Sequence, residues 1–153
     1  MKYDFISHTD EHIKGFKEDY AFLSNMQSCV IQWQGLLFTS TEAAYQASKS
    51  KQLSVAKQFQ TLNGLEAKKH SKTIYVRKDW NEIRVSIMAQ LVFQKFFNDL
   101  ELRQQLLDTG DRYIEETNNW KDIFWGVCNG VGENQLGKIL MATREYFKVY
   151  ENE

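Results

Sequence analysis

Across residues 79–97 the chain sets Trp80, Ile83, Ile87 and Leu91 at intervals of three and four. That spacing lines the four side chains along one stripe of an α-helix, and such a stripe has to be covered by other parts of the chain. A second stripe, Leu136, Ile139, Leu140, Thr143 and Phe147, marks a helix over residues 134–150. Residues 41–50 are alanine-rich and open with a Ser/Thr cluster suited to capping a helix. Shorter helices are expected over 54–62 and 65–72, interrupted by Asn63-Gly64, and over 100–107, ending before Thr109-Gly110.

Strand signals are fewer. Cys29, Ile31 and Trp33 alternate with Val30 and Gln32, so residues 29–38 read as a hairpin turned at Gln34-Gly35. Residues 113–116 suit a short strand, and 125–132 a glycine-punctuated loop. The start, through about Lys17, is polar and weakly patterned. The sum is α+β: one helix-rich domain over residues 1–153 with a small β-sheet. At 14% aromatic residues, a chain of this length has the bulk for a real core.

Composition narrows the partners. A net charge of −1 rules out general attraction to polyanions, so any contact with nucleic acid has to come from a local patch. Cys29 and Cys128 lie far apart with no CxxC pair, which points to two reduced, partly buried thiols. No apolar run is long enough for a bilayer and no signal segment opens the chain, so the expectation is a cytoplasmic protein without a membrane partner.

Five groups of residues bear on chemistry. His8-Thr9-Asp10-Glu11-His12 matches H-x-x-E-H, but zinc chemistry needs both histidines on a packed helix, and these flanks carry no apolar stripe. It reads as a chance match in a solvated segment. Gly130-Val131-Gly132 lacks the third glycine and the long strand of a dinucleotide loop, though it can bring a ligand near N–H groups at a helix start. Lys68, Lys69, His70, Lys72, Arg77 and Lys78 form a basic cluster, read first as a solvated helix face and second as a phosphate rim.

The other two groups are more specific. Glu42, Tyr45, Gln46 and Lys49 fall at i, i+3, i+4 and i+7, one polar helix face that can line a sugar site, while Ala43, Ala44 and Ala47 pack behind it. Against this, Thr39 and Glu42 fit a capping box, in which the carboxylate merely bonds a backbone N–H. Spacing alone leaves these two readings level. Glu115, Glu116, Asn118, Asn119, Trp120, Asp122 and Trp125 interleave indoles with carboxylates and amides, which suits either a planar base beside a sugar or a polar loop pinned by two tryptophans.

Taken together these segments resemble the NADAR family, named for NAD and ADP-ribose metabolism. The likeness runs from Phe22 to Arg144. It lies in Phe22-Leu23-Ser24-Asn25, in Thr41-Glu42-Ala43-Ala44-Tyr45-Gln46-Ala47 with Lys49 beyond, and in Asp79-Trp80 with Arg84 and Met88. It continues through Lys95-Phe96, Thr109-Gly110-Asp111, Ile114-Glu115, Trp120, Asp122 and Trp125-Gly126. It ends in Gly132, Asn134, Leu136-Gly137, Leu140-Met141 and Arg144. Ala43 stands where members commonly carry His, which removes an imidazole but leaves Glu42; Met26 stands where many carry Phe.

The resemblance implies a hydrolase of N-glycosidic bonds. It implies a substrate that is either a ribosylamino-pyrimidine intermediate of riboflavin synthesis or an ADP-ribosylated guanine, the partner being a ribosylated or ADP-ribosylated small molecule or modified DNA. It places Glu42, Trp80, Asp122 and Trp125 in the pocket and Lys49 close to the sugar. The candidate catalytic residues are accordingly Glu42, Lys49 and Asp122. The candidate substrate-binding residues are Asn25, Tyr45, Gln46, Trp80, Arg84, Glu115, Trp125, Gly126 and Asn134. In one mechanism a carboxylate steadies the cationic sugar carbon and positions water while another acid protonates the leaving base. In the other a desolvated lysine attacks the anomeric carbon and forms a Schiff base, with Glu42 shuttling the proton; the Lys49–Glu42 spacing favours this one. Neither needs a metal or other cofactor. The competing class is a non-catalytic module that binds ADP-ribose or a nucleotide.

Overall fold

The computed structural model describes residues 5–151. In chain order the strands are β1 (Ser7–His8), β2 (His12–Lys14), β3 (Ser28–Trp33), β4 (Leu36–Ser40), β5 (Tyr113–Glu115), β6 (Thr117–Asn118) and β7 (Val127–Cys128). The helices are α1 (Thr41–Ala47), α2 (Leu53–Ala56), α3 (Gly64–His70), α4 (Trp80–Asn98), α5 (Leu100–Asp108) and α6 (Gln135–Glu151). The fold is α+β and helix-rich, and the strands of the described residues form three small sheets. Internal contacts divide the chain into two compact units, Asn25–Asn98 and the remainder on either side of it.

In the Asn25–Asn98 unit the hairpin forms as its alternation requires. Gln34 (φ 51°) and Gly35 (φ 79°) both adopt left-handed backbone, the two-residue turn whose twist matches paired strands. Ile31 pairs with Phe38 on the buried face, while Val30 and Leu37 face water. Helix α4 buries Trp80, Ile87, Met88, Leu91, Val92, Lys95 and Phe96, with Ile83 half-buried at the margin. Lys95 is 2% exposed. Burial pushes its ammonium down to about 8, with Cys29 acting in the opposite direction.

The stretch expected as one helix over 54–62 is instead the single turn α2 followed by a 3-10 turn at Lys57–Phe59. Its buried residues, Ala56 and Phe59, are three apart, the period of the tighter helix. Asn63-Gly64 does break the chain there, and it also starts α3. The Asn63 side chain accepts from the Glu66 N–H at 2.9 Å while Glu66 accepts from the Asn63 N–H at 3.0 Å. A Cβ on Gly64 would sit 2.4 Å from the Met26 sulfur and 3.3 Å from Glu42 Cβ, so this glycine lets α3 close against α1.

In the other unit the weakly patterned start is a sheet. β1 pairs antiparallel with β2, and β2 pairs parallel with β5, with Ile13 and Ile114 opposed and fully buried. The H-x-x-E-H motif is part of this hairpin and not of a helix, and Thr9, Asp10 and Glu11 at its turn are exposed, as a chance match in a solvated segment requires. His8 Nε2 lies 2.8 Å from the Gly15 carbonyl and His12 Nε2 2.8 Å from the Ser7 hydroxyl. Among the described residues no group of three or more His, Cys, Asp or Glu is placed to hold a metal ion.

Helix α6 is anchored by Arg144, 6% exposed, whose Nη1 donates to Thr109 Oγ1 at 2.9 Å and to the Arg112 carbonyl at 2.8 Å. The Gly130–Gly132 turn is a packing device. Gly132 (φ 152°) approaches so closely that a Cβ would lie 2.2 Å from the Gly126 carbonyl. The first α6 N–H groups, of Gln135 and Leu136, donate to the Phe124 and Trp125 carbonyls at 3.1 and 3.0 Å. They are therefore not the ligand-facing donors that the sequence suggested. Neither cysteine is in a disulfide; Cys29 is half-buried and Cys128 buried. Among the described residues no helix is long and apolar enough to cross a membrane.

Candidate active site

Helix α1 begins at Ser40, whose hydroxyl accepts from the Ala43 N–H at 3.0 Å. The Thr39–Glu42 capping box does not form. The cap is one residue later, and the Thr39 hydroxyl donates instead to the Leu62 carbonyl at 2.8 Å. Glu42 is therefore released from capping. Its Oε1 accepts from Gln46 Nε2 at 2.7 Å, one turn along the same face, and both residues are buried. The Glu42 N–H is fixed by the Asn25 carbonyl at 3.0 Å, and Asn25 Nδ2 reaches the Met88 sulfur at 3.4 Å. Among the described residues Gln46 Oε1 and Thr41 Oγ1 are buried without a hydrogen-bond partner. A buried polar atom left so costs about 1–3 kcal/mol, and native structures seldom keep one without a use.

The helix stops at Ala47, short of the expected Ser50, and Lys49 lies just past its C-cap Ser48. Even so Lys49 belongs to the same group. Its Nζ is 5.8 Å from the Tyr45 ring centroid and 5.8 Å from that of Trp80, and these two rings are 5.0 Å apart. Burial lowers the Lys49 pKa. The Glu42 carboxylate opposes that shift, while the positive charges of Arg84 and Lys68 add to it. Arg84 follows Trp80 by one turn of α4. The structure thus brings together Asn25, Glu42, Tyr45, Gln46, Lys49, Trp80 and Arg84. Lys68 is an addition, visible in the sequence only as part of a basic cluster. A half-buried amine beside a buried carboxylate and two aromatic rings can act as a nucleophile once it is neutral.

The remaining site candidates lie in the other unit and are knit to one another through backbone. Asn118, 1% exposed, is the hub. Its Oδ1 accepts from the Trp120 and Asp122 N–H groups, and its Nδ2 donates to the carbonyls of Glu116, Asp122 and Val127. Asp122 Oδ1 accepts from the Phe124 and Trp125 N–H groups at 3.1 and 2.9 Å, an Asx turn that aims the loop. Trp125 is half-buried, edge-on to Phe124 at 4.9 Å. Gly126 passes so close to the Glu116 carbonyl that a Cβ would lie 2.1 Å from it. Asn134, at φ 52°, accepts from the Glu116 N–H at 3.0 Å and donates to the Ile114 carbonyl at 2.9 Å.

Glu115, 8% exposed, accepts from the Tyr113 hydroxyl at 3.1 Å and from the Thr117 hydroxyl. Burial and the Glu115 carboxylate raise the Tyr113 phenol, which keeps it a donor. Tyr113 and Thr117 were missed in the sequence. They flank Glu115 at i±2, the same-face period of a strand, and that was the available signal.

The NADAR domain profile matches residues 5–148. The chain is 37% identical over 132 residues to a riboflavin biosynthesis protein of Vibrio vulnificus, an alignment covering 84% of this chain and 36% of that protein. The chain therefore spans about a third of that relative's length. It is 33% identical over 135 residues to an N-glycosidase of Nostoc punctiforme, covering 84% of this chain and 86% of the relative. The NMR structure of Escherichia coli YbiA superimposes with a TM-score of 0.82 at 25% identity, covering 99% of this chain and 94% of that one. With the matched profile spanning nearly the whole length and the motif residues in one order, the chain belongs to the NADAR family.

Proposed function

We propose that this protein is an N-glycosidase that separates a ribose, or an ADP-ribose, from a nucleobase-like group, with Lys49 as nucleophile and Glu42 as proton carrier. The observation that carries the reading is the surroundings of Lys49: half-buried, its amine 5.8 Å from both the Tyr45 and Trp80 rings, and under the charge of the buried Glu42. The neutral amine attacks C1 of the sugar and the bond from C1 to the base nitrogen breaks. The proton released from the amine travels through Glu42 to the departing nitrogen. Ring opening gives a Schiff base between Lys49 and C1, and water then adds to C1, freeing the sugar and restoring the amine.

Gln46 Oε1 and Thr41 Oγ1 are the acceptors offered to sugar hydroxyls, with Asn25 and Arg84 beside them. Asp122 is the second acid, its Oδ2 lying outside the two backbone bonds that orient it. Trp125 and Glu115 serve the base, while Gly126 and Asn134 serve binding by keeping the loop in shape. The names of the relatives, N-glycosidase and riboflavin biosynthesis protein, support an N-glycosidic compound of riboflavin synthesis, with ribosylamino-pyrimidine intermediates as the first substrate class. ADP-ribosylated guanine, the second class, rests on the family resemblance alone. The test is mass-spectrometric detection of the freed base and sugar from purified protein incubated with each class. Binding of ADP-ribose with no release from either class would leave a non-catalytic module instead.

A further inference from the structure

Within the Asn25–Asn98 unit a cavity of about 300 Å³ lies between residues 50–52 with Val55 on one side and residues 75–78 on the other. Ligand sites run from about 300 to 1,000 Å³, so this one suits a single small moiety. None of its lining residues belongs to the catalytic group, yet it shares backbone with that group. The Arg77 N–H donates to the Lys49 carbonyl at 2.8 Å, and the Trp80 N–H donates to the Arg77 carbonyl at 3.3 Å.

Two further observations give the cavity a chemistry. Residues 50–78 hold seven of the chain's 19 Lys and Arg residues against one of its 20 acids, Glu66. Three of the seven, Lys51, Arg77 and Lys78, line the cavity. Asp79 grips Arg77 by Nε and Nη2 at 2.6 and 3.0 Å, which fixes the guanidinium plane and keeps Nη1 outside that pair. Lys51 acts on the same Asp79 carboxylate, so these charges are close neighbours. Second, Tyr75 is 87% exposed on the cavity wall. A phenol ring left in water beside three cations offers a stacking face and an anion seat together.

We infer that this cavity is a subsite for a nucleotide moiety, with the phosphate among Lys51, Arg77 and Lys78 and the planar ring against Tyr75. Its link to turnover rests on the N-glycosidase reading; its binding does not. A small substrate ending in a nucleoside monophosphate and the phosphorylated end of a strand present the same chemistry here.

The test titrates AMP and inorganic phosphate into the full chain at low salt, followed by NMR. AMP should bind more tightly than inorganic phosphate. Lys51→Glu with Lys78→Glu should weaken AMP about tenfold or more. Tyr75→Ser should weaken AMP at least about fivefold and leave inorganic phosphate unchanged, whereas Tyr75→Phe should keep both. A short single-stranded oligonucleotide that displaces AMP no better per site than AMP itself points to the small substrate; one far stronger, with the same sensitivity to the variants, points to a strand. All these positions are exposed or half-buried, and a melting curve checks each variant's fold. AMP affinity indifferent to both the charge reversals and Tyr75→Ser would overturn the subsite and return these lysines to a solvated surface. In turnover, the double variant should raise KM for a phosphorylated substrate relative to an unphosphorylated one. If neither is turned over, the N-glycosidase reading fails while the AMP titration still decides the subsite.

Discussion

The polar face of α1 and the loop over residues 113–134 contain the same kinds of side chain and use them in opposite ways. On α1, Gln46 bonds Glu42, and buried acceptors at Gln46 Oε1 and Thr41 Oγ1 are left over among the described residues. In the loop, Asn118, Asp122 and Asn134 commit themselves to backbone N–H and carbonyl groups. Buried polarity held in reserve suggests a ligand, and buried polarity already satisfied suggests architecture. Substitutions should therefore separate the two regions. One should lose rate and keep stability, the other the reverse.

The largest effect is expected at Lys49. Lys49→Ala should cut turnover by more than about 10³-fold with little change in melting temperature, and borohydride added during turnover should trap sugar on Lys49 in the parent protein. Glu42→Gln preserves the bond to Gln46 in shape but not the proton carrier, so a loss of about 10²- to 10⁴-fold is expected. An active Lys49→Ala protein, with no trapped adduct and Glu42→Gln dead, would leave hydrolysis assisted by the carboxylate alone.

Next come the loop residues. Asn134→Ala takes the Asn134 side-chain bond from the Glu116 N–H and the Ile114 carbonyl, and Asn118→Ala takes one bond each from five backbone groups, of which the Glu116 carbonyl keeps the Val127 N–H. Each should cost about 2–3 kcal/mol or more in urea unfolding, with activity per folded molecule falling only as far as the loop is displaced. Asp122→Asn sharpens the contrast because Asn can keep the Asx turn. A retained melting temperature with turnover down about 10²-fold marks Asp122 as the second acid. Retained turnover makes it a loop residue like its neighbours.

How far the sequence could reveal this follows from the same contrast. Helices α4 and α6 and the β3–β4 hairpin were legible because burial imposes a period on long elements, as Trp80, Ile87 and Leu91 show. β1 and β2 were not, since two or three residues cannot display a period and β2's partner, β5, lies a hundred positions on. The α1 cap was misplaced by one residue because Thr39 and Ser40 are chemically interchangeable there. Only the bond that the Thr39 hydroxyl donates to the Leu62 carbonyl separates them. The residues around Lys49 were found from helical spacing and family resemblance. That Asn118 is a hub was not visible, because an Asn that binds sugar and one that binds backbone look alike in a sequence.

A smaller effect distinguishes two lysines of one unit. Lys95, held down to about 8 by burial, has an unfolded value near 10.5. Below 8 the folded protein carries the cost of a buried charge. Between 8 and 10.5 the unfolded chain binds the extra proton, so stability should rise with pH across that window, by at most about 3 kcal/mol. Lys95→Met should flatten that rise in urea titrations at pH 7.5 and 10. A parent protein whose stability falls over the same window, with Lys95→Met indistinguishable from it, would show that Lys95 is not buried as a cation.

The smallest effect, and the finest test of the α1 site, is on the pH dependence of rate. In the proposed mechanism only neutral Lys49 attacks C1, so kcat/KM should climb as pH rises through the lowered Lys49 pKa. Arg84 helps to lower that pKa, because two like charges resist each other; Arg84→Met should move the climbing limb to higher pH. Glu42 works against the lowering, so Glu42→Gln should move the limb of its residual activity to lower pH. The opposite signs matter more than the sizes, because a general loss of fold or affinity cannot displace one limb up and the other down. The Lys68 charge acts in the same sense as Arg84 but from a separate helix, and Lys68→Met should also displace the limb upward. Limbs that coincide in all three variants would mean that the rate follows some other group's proton, and the comparison between a reactive α1 and a structural loop would lose its chemical half.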